Sequence, residues 1–520
     1  MKKNTLSLGF VAALLLGLAS CQPQDITPAP NAAPNGGTGT GTGTGTGSTN
    51  TAPVVAVQGE ITTNTTWTAA NQYLLQGYVY VRSGATVTIE AGTLIKGDKD
   101  SKGSLIIEPG AKLIAIGTVA KPIVFTSNQP KGARNYGDWG GVILCGNAPV
   151  NTVVNGVKPQ VEGGPTTRYG SADPTNTAAV ADNSGTLQYV RIEFGGVAFS
   201  PNNEINGLTL CGVGNGTTID HIQVSYSGDD SYEWFGGTVN AKYLVAHRGF
   251  DDDFDTDSGF SGKLQFLVSL RDPLAADQSG SKGFESDNDA NNTDNTPKTS
   301  AVFSNVTLVG PLINPSGTGG ISSQYVAGVH IRRNSAISLF NSVVMGWPTG
   351  VLIDGTKAGA NVASGALAIK NTIVAGSPTG SNSKGGQKDV IYIAGAGGAG
   401  SLTPTNTMSA DSSAFGTAVG PLTWLFASAN ANRKYSTSDA VRLLNPFNLT
   451  SPSFLPSSTS PIVYNGTTST PAVAASFADA KVSDAFFTKV AYVGAFAGTG
   501  ATADNWTAGW TNFDPQNTNY

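Results

Sequence analysis

Leu187-Gln-Tyr-Val-Arg-Ile-Glu-Phe-Gly-Gly196, Ile219-Asp-His-Ile-Gln-Val-Ser-Tyr-Ser-Gly228, Ala241-Lys-Tyr-Leu-Val-Ala-His-Arg-Gly249 and Leu264-Gln-Phe-Leu-Val-Ser-Leu-Arg271 are four versions of one short strand. Aligned on Tyr189, His221, Tyr243 and Phe266, they are 32, 22 and 23 residues apart. The pattern resumes at Asn305-Val-Thr-Leu, Asn341-Ser-Val-Val and Asn371-Thr-Ile-Val. A repeat of about 20–25 residues with loops of varying length marks a solenoid, in which each unit buries its apolar face only by stacking on the next. The reading is all-β: a right-handed parallel β-helix with an N-terminal cap and a partly helical C-terminal cap.

Composition agrees. The chain has 520 residues, 66 of them glycine, and only 12% are charged. That is about half the usual charge and nearly twice the usual glycine. Tight turns and uncharged polar stacks between coils call for both. The net charge is −5, which argues against nucleic acid as a partner.

Outward from the repeats, the chain divides into four parts. Lys2-Lys3 and the apolar run Leu6 to Leu18, ending Leu18-Ala-Ser-Cys21, read as a leader too short to span a membrane permanently. The ending resembles a bacterial lipobox, with Cys21 the lipidated first residue of the mature chain. Residues 22–57, with a Gly-Thr alternation from Gly36 to Gly47, cannot bury enough to fold and read as a tether. Residues 58–435 carry the β-helix, with insertions at 147–184 and 272–300. Residues 436–520 are expected to cap its end, with short helices at Ser438–Leu444 and Ala475–Val490. The expected protein is an exported, outer-membrane-anchored monomer. It touches the membrane only through its lipid, on the cell surface or the periplasmic face.

Thr65-Thr-Trp, Ala91-Gly-Thr-Leu-Ile-Lys-Gly, Pro122-Ile-Val-Phe-Thr-Ser, Gly137-Asp-Trp-Gly-Gly and the closing Gly509-Trp-Thr-Asn-Phe-Asp-Pro together resemble a large family of bacterial secreted β-helix lipoproteins, common in Bacteroidetes. The resemblance runs from about residue 58 to Tyr520. It implies fold and location. The family has no settled activity.

Residues 229–257 hold the densest chemistry. Asp229, Asp230, Glu233, Asp251, Asp252, Asp253, Asp255 and Asp257 face only Lys242 and Arg248, a net charge of −6. The acids are in phase: Asp229 and Asp230 follow His221 by the same offsets as Asp251 and Asp252 follow Tyr243, and Glu233 matches Asp255. Stacked coils would set carboxylate on carboxylate, and like charges so placed raise one another's pKa. A hard divalent cation offsets that, and calcium takes six to eight oxygens. Glu285, Asp287 and Asp289 on the following loop could complete its shell. A solvated acidic face is the bland alternative.

Arg248 and Arg271 fall at one offset on adjacent coils. They could grip an acidic sugar or act as a base, or neutralise nearby aspartates. In pectate-lyase-like β-helices an arginine serves as base beside calcium-bound aspartates, but no local sequence here matches that site. Trp139, Tyr232, Trp234 and Phe235 could stack on sugars or fill the core. His221, His247 and His330 have no metal-ligand spacing. Asn305, Asn341 and Asn371 suggest an asparagine stack whose amides bond one another. Cys145 and Cys211 share the frame Gly-x-x-x-Cys-Gly on successive coils, about 4.8 Å apart in such a stack, which suggests a disulfide.

The functional expectation is a protein that binds or helps process extracellular glycan around a calcium site, with binding favoured over catalysis. The alternatives are a polysaccharide lyase or glycoside hydrolase acting on an acidic polymer, and a structural or adhesive surface protein.

Overall fold

A computed structural model describes residues 51–200, 203–312, 320–377, 388–395, 420–463 and 473–520. The lipobox and all but the end of the expected tether lie outside them.

The repeats form a right-handed parallel β-helix. Among the described strands every pairing between coils is parallel. The antiparallel strand pairs are two small hairpins, Ala198–Ser200 with Asn203–Glu204 and Leu443–Asn445 with Ser453–Pro456. The first strand, Val54–Ile61, begins inside the stretch expected as tether and pairs with Gln72–Val81.

Tyr189, His221, Tyr243, Phe266, Asn305, Asn341 and Asn371 share one corner, each with φ between 51 and 64°. L-residues rarely adopt that conformation. Here it bends the chain, within one strand at the first five positions and between two strands at Asn341 and Asn371. Stacking the corners lines up their side chains. The rings of Tyr189, His221, Tyr243 and Phe266 stack 4.3–5.0 Å apart.

Inward positions carry the core. Trp139, Tyr232, Trp234, Phe254 and Phe260 are fully buried, so the first three are core residues and no sugar platform. Phe235 points the other way and packs beneath the 147–184 insertion with Val150, Val161 and Tyr169.

The ends differ from expectation. A short helix at Pro421–Leu425, within the stretch assigned to the β-helix, packs Leu425 into the main core. Residues 473–520 run back along the corner of the solenoid. Gln223, Gln265 and Asn341 each hold the backbone of this tail with two hydrogen bonds: Gln223 to Asn512 (2.8 and 2.7 Å), Gln265 to Thr488 (2.8 and 2.7 Å) and Asn341 to Ser476 (3.1 and 2.8 Å). Asn305 and Asn371 donate to the carbonyls of Tyr492 and Ala474. The asparagine amides therefore grip the tail instead of one another. The helix expected over Ala475–Val490 is replaced by turns, because its backbone groups bond to the corner. Ser438–Val441 forms a single 3-10 turn.

Cys145 and Cys211 are paired rungs, buried, and free thiols. This corrects the expected disulfide. The strands that carry them are about 4.8 Å apart, and a bridge would need their Cβ atoms drawn to roughly 3.5–4.5 Å.

Candidate metal centre

Tyr232–Gly237, Phe254–Asp257, Phe284–Ser286 and Ala327–Ile331 are successive rungs of one face. Side chains alternate along a strand. Tyr232, Trp234, Phe254 and Phe284 take the inner positions, so Glu233, Asp255 and Glu285 must face outward. Register stacks Glu233 on Asp255, Asp255 on Glu285, and Glu285 on His330. Asp229, Asp230, Asp251 and Asp252 stand in the turns that feed these strands.

The result is three overlapping carboxylate triads: Asp229, Asp230 and Asp251; Asp230, Glu233 and Asp255; Asp252, Asp255 and Glu285. Within each, one oxygen per residue lies within 4.8 Å of the others. Asp230 belongs to the first two and Asp255 to the last two. Three cations reach the far end. Lys282 pairs with Asp252 (3.3 Å) and with Glu285; Arg332 pairs with Glu285 and with Asp287 (2.8 Å); Arg333 also pairs with Asp287 (2.6 Å). No salt bridge from a described residue reaches Asp229, Asp230, Glu233, Asp251 or Asp255.

The electrostatics follow. Burial, and then neighbouring carboxylates, push Asp229, Asp230, Glu233 and Asp255 well above the usual range. Burial pushes Asp252 up as well, although Lys282 opposes it. Asp257 rises to about 8 through burial and Asp287. Burial works against the charge of Glu285 too, but Arg332 and Lys282 prevail and hold it at about 2. Oδ1 of Asp251 and Oδ1 of Asp255 are buried with no hydrogen-bond partner. An all-carboxylate donor set with unsatisfied oxygens fits a hard cation.

Other expected ligands stand apart. Asp253 is fully buried and holds the equally buried Arg271 at 2.8 Å, as the counter-ion this inward-turned guanidinium requires. That corrects both residues: Asp253 is no ligand of the groove, and Arg271 is out of reach of any polymer. Arg248 pairs with Asp272 at 2.5 Å and lies over the Tyr226 ring. Asp289 accepts the amides of Asn291 and Thr293 and shapes its own loop. Asp257 and Asp287 flank the triads without joining one.

Sequence reasoning missed several groups. Glu162, from the 147–184 insertion, and Glu204, on the small hairpin, both bear on Asp229. Glu162 rises to about 7 through burial and the charge of Glu204. No local pattern marks either, since the loops carrying them meet only in the fold. His330 reaches the site through its register with Glu285, and its Nε2 lies 3.2 Å from Oδ2 of Asp354. His221 is stacked in the corner, and His247, buried and pushed down to about 3, bonds the carbonyl of Leu449; both are structural.

Parallel strands coiled into a single stack define a parallel β-helix. The profile of the pectate-lyase-like β-helix domain matches residues 59–418, and the chain belongs to that family. Comparison with curated proteins and with solved structures gives no match.

Proposed function

We propose that the acidic face binds calcium and, through it, an acidic extracellular glycan. One observation carries this reading: the carboxylates of Asp229, Asp230, Glu233, Asp251 and Asp255 converge in overlapping triads, and among the described residues no salt bridge reaches them. Calcium answers the repulsion, and a partly filled shell leaves positions for sugar carboxylates and hydroxyls. Family membership supports a glycan-related role. Titrating calcium into chelator-treated protein by calorimetry tests the reading, followed by oligogalacturonate with and without the metal. Absence of calcium binding would overturn it.

A second reading is a polysaccharide lyase. Arg332, half-buried and ion-paired with Glu285, is what favours it: it is a cation at the acidic face that a sugar carboxylate could meet. Release of unsaturated ends, read by ultraviolet absorbance, would establish it.

The leader ending at Cys21 supports an exported protein held to the envelope by lipid, since several acyl chains hold firmly where one does not. In cells, Cys21→Ser should move the protein from the detergent phase to the soluble fraction. Unchanged partition would reject the anchor. Among the described residues no helix is long and apolar enough to cross a membrane.

A further inference from the structure

The hairpin Ala198–Ser200 with Asn203–Glu204 lies beside the acidic cluster. Its second strand contributes Glu204, whose charge acts on Asp229. Its first strand contributes Phe199, 46% exposed, the one aromatic ring among the large apolar side chains that the described residues leave exposed. Ala198 and Glu204 are cross-strand partners, and Phe199 occupies the register shift between Ala198 and Ser200.

The ring is held from one side. Its centroid is 6.4 Å from that of Tyr78, and the Tyr78 hydroxyl donates to the carbonyl of Gly163 at 2.7 Å. Gly164 fits against both rings with φ of 99°. A Cβ there would come within 2.5 Å of the Tyr78 hydroxyl and 3.2 Å of the Phe199 ring tip. Over the other approach lies the half-buried Lys102. Its Nζ lies 4.8 Å from the ring centroid and donates to the Ala198 carbonyl at 3.3 Å. No salt bridge from a described residue reaches this ammonium.

We propose that Phe199 and Lys102 form a subsite for one uronate unit of the glycan bound at the groove. This rests on the cation-dependent glycan reading above. A pyranose ring presents an apolar C–H face, and a fixed aromatic ring with an open side is the partner for it. The ammonium over an exposed ring is weakly held, so it can swing aside and pair with the sugar carboxylate. The ring selects a sugar, and the lysine selects an acidic one. Glu162 and Glu204 repel an anion until calcium occupies the groove, so the subsite should fill only when the metal is bound.

The test uses the whole mature chain loaded with calcium, with oligogalacturonate titrated calorimetrically. Phe199→Ala should weaken binding about tenfold, and Phe199→Tyr should retain it. Lys102→Met should weaken binding of oligogalacturonate and leave that of a neutral oligosaccharide unchanged. Calcium affinity should be unaltered in all three, since neither side chain belongs to a carboxylate triad. Unchanged oligogalacturonate affinity in Phe199→Ala would overturn the subsite, as would equal losses for acidic and neutral ligands in Lys102→Met. If the wild-type protein binds calcium but no oligogalacturonate, the subsite falls and the metal site stands. If it binds neither, both fall.

Discussion

Oδ1 of Asp230 accepts the backbone N–H of Asp252, on the next coil, at 2.8 Å. The arrangement repeats on either side. Oδ1 of Asn206 accepts the N–H of Asp230 at 3.2 Å, and Oδ1 of Asp252 accepts the N–H of Lys282 at 2.5 Å. One side-chain oxygen per coil thus serves as acceptor for a buried amide of the next. Asn206 does this without a charge, so the hydrogen bond needs an oxygen and not a carboxylate.

Asp230→Asn and Asp230→Ala should therefore act in opposite directions in chelator-treated protein. The asparagine keeps the acceptor and removes repulsion with Asp229 and Asp252, so Tm should rise. The alanine orphans the Asp252 amide, which costs about 1–3 kcal/mol. Denaturant unfolding of both variants measures this. The reverse ordering would show that the carboxylate is stabilising as a charge.

The pH dependence has a definite sign. Asp229, Asp230, Glu233 and Asp255 are raised by burial and by neighbouring carboxylates, Glu162 to about 7 and Asp257 to about 8. A carboxyl whose folded pKa is raised contributes stability below its unfolded value, about 4. That contribution is lost as pH rises through the folded value. Without metal, Tm should fall from about pH 4 to about pH 8. Calcium should flatten the curve. Glu285, held at about 2, works the other way, and its contribution disappears only in strong acid. A chelated protein whose Tm is flat or rising over the same range would count against the repulsive cluster.

Alkylation of the denatured, unreduced mature protein should label Cys145 and Cys211 in full. Intact mass reads the outcome, and a species two protons lighter that resists labelling would reveal a bridge.

The tail closes on Tyr520. Its hydroxyl bonds the buried carboxylate of Glu193 at 2.6 and 2.5 Å, and Arg134 lies over its ring while donating to the carbonyls of Pro515 and Thr518. Tyr520→Phe takes a partner from a buried charge and should cost about 1–3 kcal/mol. Hydrogen exchange should rise at 515–520 and 132–135 before it rises in the coils. Unchanged exchange there would mean that the hydroxyl contributes nothing to the latch.

The coil repeat was legible in the sequence because its causes are local. Alternation sets which side chains face in, and the spacing of Tyr189, His221, Tyr243 and Phe266 sets where each coil turns. The phase of Asp229 and Asp230 with Asp251 and Asp252 likewise foretold the stacked carboxylates, since equal offsets in a solenoid become neighbours in space. What the tertiary structure decided depends on contacts between distant segments. Asp252 turns into the groove while its neighbour Asp253 turns inward, because Arg271 needs a counter-ion there. Glu162 and Glu204 reach the site from the 147–184 insertion and the small hairpin, which have no repeat to betray them. The tail from 473 onward has no period of its own because its backbone bonds to side chains of the corner, so only the assembled corner determines its path.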